Sequence, residues 1–150
     1  MKSTVHILES LVVEHEKLLV EIQDSDFSAK PNPAKWSKKE ILGHLVDSAH
    51  NNLRRFIVAQ YEDNPTIVYK QEFWVSASAY QQYNKDELIT LWVAINTQIC
   101  RVLIHLPPGA EKKECMSEAS HAIEWLAQDY IKHLKHHMHV ILNREPVAYP

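Results

Sequence analysis

Glycine is nearly missing from this sequence, with two in 150 residues. That scarcity excludes the Gly-rich phosphate loops of P-loop and dinucleotide-binding proteins. It also removes the usual two-residue hairpin signals, which points to an all-α fold. Cysteine is equally rare. Cys100 and Cys115 stand far apart, form no C-x-x-C and make no disulfide framework, so they read as structural thiols. Positive charge is not in excess: a net charge of −3 and a pI near 6.3 leave no basic footprint for nucleic acid. No apolar run approaches the roughly 20 residues of a membrane span. The opening residues, MKSTVHILES, lack the continuous apolar segment of a secretory signal. A cytoplasmic protein is expected.

What is present is ordinary for a soluble globular chain, at 45% hydrophobic and 23% charged residues. The length suits a single domain, 1–150, with a sizeable core. Four segments repeat apolar residues at helical spacing. The first runs from about Ser3 to Gln23, with His15 at the edge of its stripe and His6 without an obvious partner. Asp24 to Lys35 reads as a loop carrying Pro31 and Pro33. Ser37-Lys38-Lys39-Glu40 then forms a capping box, with Trp36 and Ile41 at hydrophobic-staple spacing, and opens a helix to about Tyr61. Its stripe is Ile41, Leu45, Ala49, Asn52, Leu53 and Phe56. His44 lies on the flank of that stripe with Ser48, Asn51 and Arg55, whereas Asp47 and His50 project outward. Gly43 inside this helix costs up to about 1 kcal/mol against Ala. Either it admits a close neighbour, backbone or ligand, or it is merely tolerated.

Glu62 to Lys70 is a polar connection, and Gln71 to Tyr83 reads as one or two short helical turns over the core. Trp74 and Tyr80 there, with Trp36, are candidate pocket residues, packing being the alternative. Asn84 caps a third long helix to about His105, in what resembles a second capping box with Glu87. Glu111 to Ser120 is a polar link. The fourth helix spans about Ser120 to Asn143, and Pro146 stops its continuation. Four amphipathic helices describe a four-helix bundle, in which facing helices commonly build metal sites. Short links favour antiparallel neighbours, and the connection between the second and third helices is long enough to cross the bundle and let them run parallel instead.

The last helix carries four of the ten histidines. His133 and His137 are one turn apart and fall near the centre of the stripe formed by Leu126, Tyr130, Leu134 and Ile141. His136 and His139 point away and read as solvated. Two imidazoles within an apolar stripe require partners, and a metal ion would be one. The alternative is a histidine-rich, partly exposed helix without an ion. A third ligand must come from another helix, and His44 is the best placed. Three protein ligands leave an open position of catalytic type, and imidazole suits zinc, nickel, copper or iron. Leu134 follows His133 where a zincin would carry its glutamate. Asp129, one turn before His133, is either the acceptor that orients that imidazole or a solvated charge.

Lys35 to Phe56 (KWSKKEILGHLVDSAHNNLRRF), followed by Asp129 to Ile141 (DYIKHLKHHMHVI), resembles the DinB-like (DinB/YfiT-like) superfamily, and the resemblance covers nearly the whole chain. It implies a four-helix bundle with a long crossover between the second and third helices. It implies a divalent metal, zinc or nickel first, held by His44, His133 and His137. It also implies a metal-dependent hydrolase acting on a small molecule. The alternatives are a small-thiol-dependent S-transferase of the same family, or a protein that binds metal without turnover. Family members are often homodimers, so a homodimer is expected, with neither nucleic acid nor membrane as partner.

Overall fold

The structure is a computed structural model and is described for residues 1–149. Six α-helices form in chain order: α1 (Lys2–Val20), α2 (Asp24–Ser28), α3 (Lys38–Val58), α4 (Gln71–Ser78), α5 (Lys85–Ile104) and α6 (Ile123–Ile141). The long ones are α1, α3, α5 and α6, the four expected. Helix α2 occupies part of the segment read as loop, because Phe27 is fully buried and draws one turn of chain onto the core.

Helix α3 is central, and its start follows from its sequence. Ser37 Oγ accepts from the Glu40 amide at 3.1 Å, and the Glu40 carboxylate accepts from the Ser37 amide at 2.8 Å, a complete capping box. The Asn84 side chain accepts from the amides of Asp86 and Glu87, but no return bond from Glu87 is present among the described residues, so α5 has a simple cap. From Leu42 to Ala49 every residue of α3 is buried. One apolar stripe cannot explain that. The cause is tertiary: α5, α6 and α4 with the 3-10 turn Tyr80–Gln82 cover different sides of the helix.

Helix directions follow from contacts at their ends. Lys85, at the start of α5, donates to the carbonyls of Val20 and Ile22 at the end of α1 (2.9 and 2.7 Å), so α1 and α5 are antiparallel. Lys39, at the start of α3, donates to the Tyr83 carbonyl just before α5 at 3.0 Å, so α3 and α5 run parallel. His44, early in α3, faces His137, late in α6, which makes those two antiparallel. Around the bundle the neighbours are α1, α5, α3 and α6. Parallel α3 and α5 require the crossover, which is residues 59–84.

Two devices hold the crossover down. Tyr80 lies flat on Gly43, where an added Cβ would stand 2.1–2.6 Å from its ring atoms. The close neighbour Gly43 admits is therefore an aromatic side chain. Further back, the link between α5 and α6 is not wholly irregular. It contains a small antiparallel hairpin, β1 (Glu114–Met116) and β2 (Ser120–Ala122). Met116 exchanges backbone hydrogen bonds with Pro65 and Ile67 at 2.9 Å each, anchoring the crossover beside α3.

By length and composition alone α5 passes as a membrane span, with a mean hydropathy of 1.4 over its 18-residue window, although no uninterrupted apolar run marks it in the sequence. In the fold its apolar side, Leu88, Trp92, Ile95, Ile99 and Leu103, is buried in the bundle core. Buried Asn96 on that helix accepts from the Tyr130 hydroxyl of α6 at 2.6 Å. His15, expected at the core edge, is buried, with Nδ1 at 2.7 Å from the Leu11 carbonyl. Both cysteines are buried and unpaired, and burial pushes the Cys100 thiol up to about 11.

Candidate metal centre

Helix α3 presents His44 to α6, which presents His133 and His137 from consecutive turns. One ring nitrogen of each lies within 4.8 Å of the other two. The Nε2 atoms of His44 and His133 are 3.1 Å apart. Nitrogens sharing one ion at bond lengths of about 2.0–2.1 Å stand about 3.0–3.4 Å apart, so the spacing suits a shared metal. The donor set suits it as well. Burial, then the neighbouring His137, holds His44 down to about 3. Burial, followed by the surrounding histidines, holds His133 near 2 and His137 near 4. All three are neutral at pH 7, with a lone pair free for a borderline cation.

The surroundings were less legible. His133 Nδ1 faces Ser48 Oγ at 3.4 Å. Asp129 makes no hydrogen bond to His133 among the described residues. Its carboxylate instead accepts from the Tyr149 hydroxyl at 2.9 Å, because the segment after α6 folds back along the helix. That segment also changes the reading of the other two histidines. His136 Nδ1 donates to the Val147 carbonyl at 2.6 Å and His139 Nδ1 to the Glu145 carbonyl at 2.7 Å, so both are half-buried under the chain rather than solvated. The Tyr149 ring sits 5.2 Å from that of His133. No spacing rule announces a tyrosine that returns over its own helix.

Asp47 does not project outward. It is buried and accepts from the Tyr80 hydroxyl at 2.5 Å. Burial pushes its carboxyl up to about 6, against the opposing pull of that hydrogen bond. The outward assignment assumed one buried face, whereas the crossover covers a second. His50 is exposed as expected.

Among the pocket candidates, Trp36 packs 5.2 Å from the His44 ring. Trp74 is 37% exposed and stands edge-on to Tyr69. Tyr80 is buried against Gly43 and Asp47 and lines no part of the cavity beside the histidines. That cavity has a volume of about 750 Å³, with Ser48, Arg55, Tyr69, Asp129, His133 and Tyr149 in its wall. The crossover delivers Tyr69 to it, another contribution that helical periodicity cannot signal. A more open hollow of about 650 Å³ along α1, lined by His6, Val13 and Arg144, contains none of the three clustered histidines.

This chain is similar to several known proteins. A metal-dependent hydrolase of Bacillus cereus strain B4264, named as putative, is 32% identical over 68 residues, or 45% of this chain and 39% of that protein. A protein of the same name from Bacillus thuringiensis subsp. konkukian matches to the same extent. The aligned stretch thus spans about two fifths of these relatives' length. Among solved structures, YfiT from Bacillus subtilis, described as "a probable metal-dependent hydrolase with an unusual four-helix bundle topology", superposes with a TM-score of 0.82. The match covers 95% of this chain and 83% of YfiT at 22% identity, a likeness of fold. The profile of the DinB superfamily matches residues 12–141, and the chain belongs to that superfamily.

Proposed function

We propose that this protein is a metal-dependent hydrolase in which His44, His133 and His137 hold one divalent ion, zinc or nickel, beside a small-molecule cavity. The observation that carries the reading is the convergence of three neutral imidazoles from two helices within 4.8 Å, one of them on the wall of the cavity. The names of the relatives agree with it. An ion so placed supplies Lewis acidity, polarising a substrate oxygen or acidifying a water molecule. The protein's own groups do the rest. Arg55 offers positive charge to a substrate acyl or phosphoryl oxygen. The Tyr69 hydroxyl offers a hydrogen bond from the cavity wall. The buried side of the bundle keeps solvent from the imidazoles.

We place the protein in the cytoplasm, where two unpaired cysteines are stable, and expect a homodimer from the family. Light scattering on the purified chain tests the second point.

Elemental analysis of untagged protein, supplied with zinc or nickel, tests the site. About one ion per chain is expected, and a ratio near zero refutes the reading. A panel of esters and amides, assayed with and without the metal, tests the reaction class. Turnover that needs a small thiol would reassign the protein as an S-transferase. Metal uptake without any turnover would make it a binding protein.

A further inference from the structure

Three polar side chains on one face of α3, Arg55, Asn52 and Ser48, form a ladder that ends on His133. Its direction is fixed from the far end. Arginine has donors and no acceptor. The Arg55 guanidinium is anchored by Nε and Nη2 on the Ile67 carbonyl at 3.1 and 3.0 Å. Its Nη1 donates to Asn52 Oδ1 at 3.3 Å. The Asn52 amide therefore cannot be flipped: its oxygen faces Arg55 and its NH₂ faces Ser48. There Nδ2 donates to the Ser48 carbonyl at 2.9 Å and to Ser48 Oγ at 3.4 Å.

A serine hydroxyl has one hydrogen and two lone pairs. At Ser48, one lone pair takes the Asn52 hydrogen. The second lone pair faces His133 Nδ1 at 3.4 Å and accepts from it when that nitrogen carries the hydrogen. The Nε2 of His133 is then bare and faces His44 Nε2 at 3.1 Å. His44 fixes this assignment. In the metal-free chain His44 Nε2–H donates to His133 Nε2, which leaves the buried His44 Nδ1 as an acceptor without a partner. An unpaired buried acceptor is better tolerated than an unpaired donor.

We infer that Ser48, oriented by Asn52 and Arg55, is the positioning residue of the centre. It accepts the Nδ1 hydrogen of His133 and so aims the Nε2 lone pair at the point shared with His44 and His137. This deepens the metal-site reading and rests on it for its purpose. Hydrogen bonds of this kind typically contribute about 10–100-fold to metal affinity.

Two measurements on the full chain, for the parent, Ser48→Ala and Ser48→Thr, test it. Long-range ¹H–¹⁵N spectra of the metal-free proteins report the His133 tautomer. Zinc affinity is read by competition with a chromophoric chelator. The expected result is an Nδ1–H tautomer in the parent, a tautomer mixture in S48A, and zinc binding weaker by about 10–100-fold in S48A but recovered in S48T. A merely structural serine would lower the melting temperature without moving the tautomer. An Nε2–H tautomer in the parent, or an S48A variant matching the parent in both readouts, would overturn the inference. If the parent has the expected tautomer and S48A loses it, yet neither takes up zinc, the ladder stands and the metal function fails.

Discussion

Replacing Gly43 by alanine sets two physical effects against each other. In a bare helix the change is favourable by about 1 kcal/mol, because glycine loses the most backbone entropy on folding. In this fold the new methyl would lie 2.1 Å from Tyr80 Cδ2 and 2.3 Å from Cγ, so the ring must retreat by more than an ångström. Cγ is at the root of the ring, so a small rotation cannot clear the clash. Retreat also strains the hydrogen bond from the Tyr80 hydroxyl to Asp47, a buried carboxylate whose Oδ2 already has no partner. Overpacking costs about 1–3 kcal/mol, and a buried acceptor left unpaired costs about 1–3 kcal/mol more. After subtracting the helix gain, the net destabilisation is about 1–5 kcal/mol. In a domain of this size that corresponds to a melting point lower by about 2–20 °C. Thermal and urea unfolding of G43A measure it. A variant as stable as the parent, or more so, would show that Tyr80 does not lie on Gly43. The cycle with Tyr80→Ala isolates the cause: with the ring gone, G43A should stabilise the chain rather than destabilise it.

Replacing His137 by alanine should abolish zinc binding, whereas His136→Ala should leave it nearly intact, because His136 is occupied with the Val147 carbonyl; calorimetric titration would expose the wrong face assignment through equal losses. The metal-free protein should lose stability as the pH falls below 6.5, at up to about 1.4 kcal/mol per pH unit for each imidazole. The sign follows because His44, His133 and His137 titrate at about 3, 2 and 4 in the fold, so the unfolded chain binds more protons until the folded imidazoles charge too. Asp47 runs the other way, its contribution being lost as the pH rises from 3.8 through about 6, and it offsets one histidine within that window. Urea unfolding at a series of pH values reads the slope, and a stability that is flat or rising toward acid would refute the buried neutral triad. Replacing Tyr149 by phenylalanine removes the bond to Asp129, worth about 0.5–1.5 kcal/mol. Hydrogen exchange of the segment following α6 should quicken correspondingly, and unchanged exchange would mean that the bond does not hold it.

Periodicity in the sequence determined the four long helices, because each buries a stripe at its own 3.6-residue repeat. The Ser37 capping box marked the start of α3 for an equally local reason: its partners are three residues apart. The pairing of His133 with His137 was legible in the same way, since one helical turn brings them together wherever the helix lies. Family resemblance and position supplied His44, but only the packing of α3 against α6 brings its nitrogen to 3.1 Å from His133. The tertiary structure alone decided the rest. Asp47 turns inward because a distant crossover lays Tyr80 over Gly43. Asp129 serves Tyr149 rather than His133 because the chain doubles back after α6. Ser48 was visible on the flank of its helix, but its place in the ladder depends on Arg55 meeting the Ile67 carbonyl, held there by a hairpin some fifty residues further along. Local spacing sets which residues share a face of a helix; what stands opposite that face depends on contacts between segments remote in sequence, and no local pattern carries them.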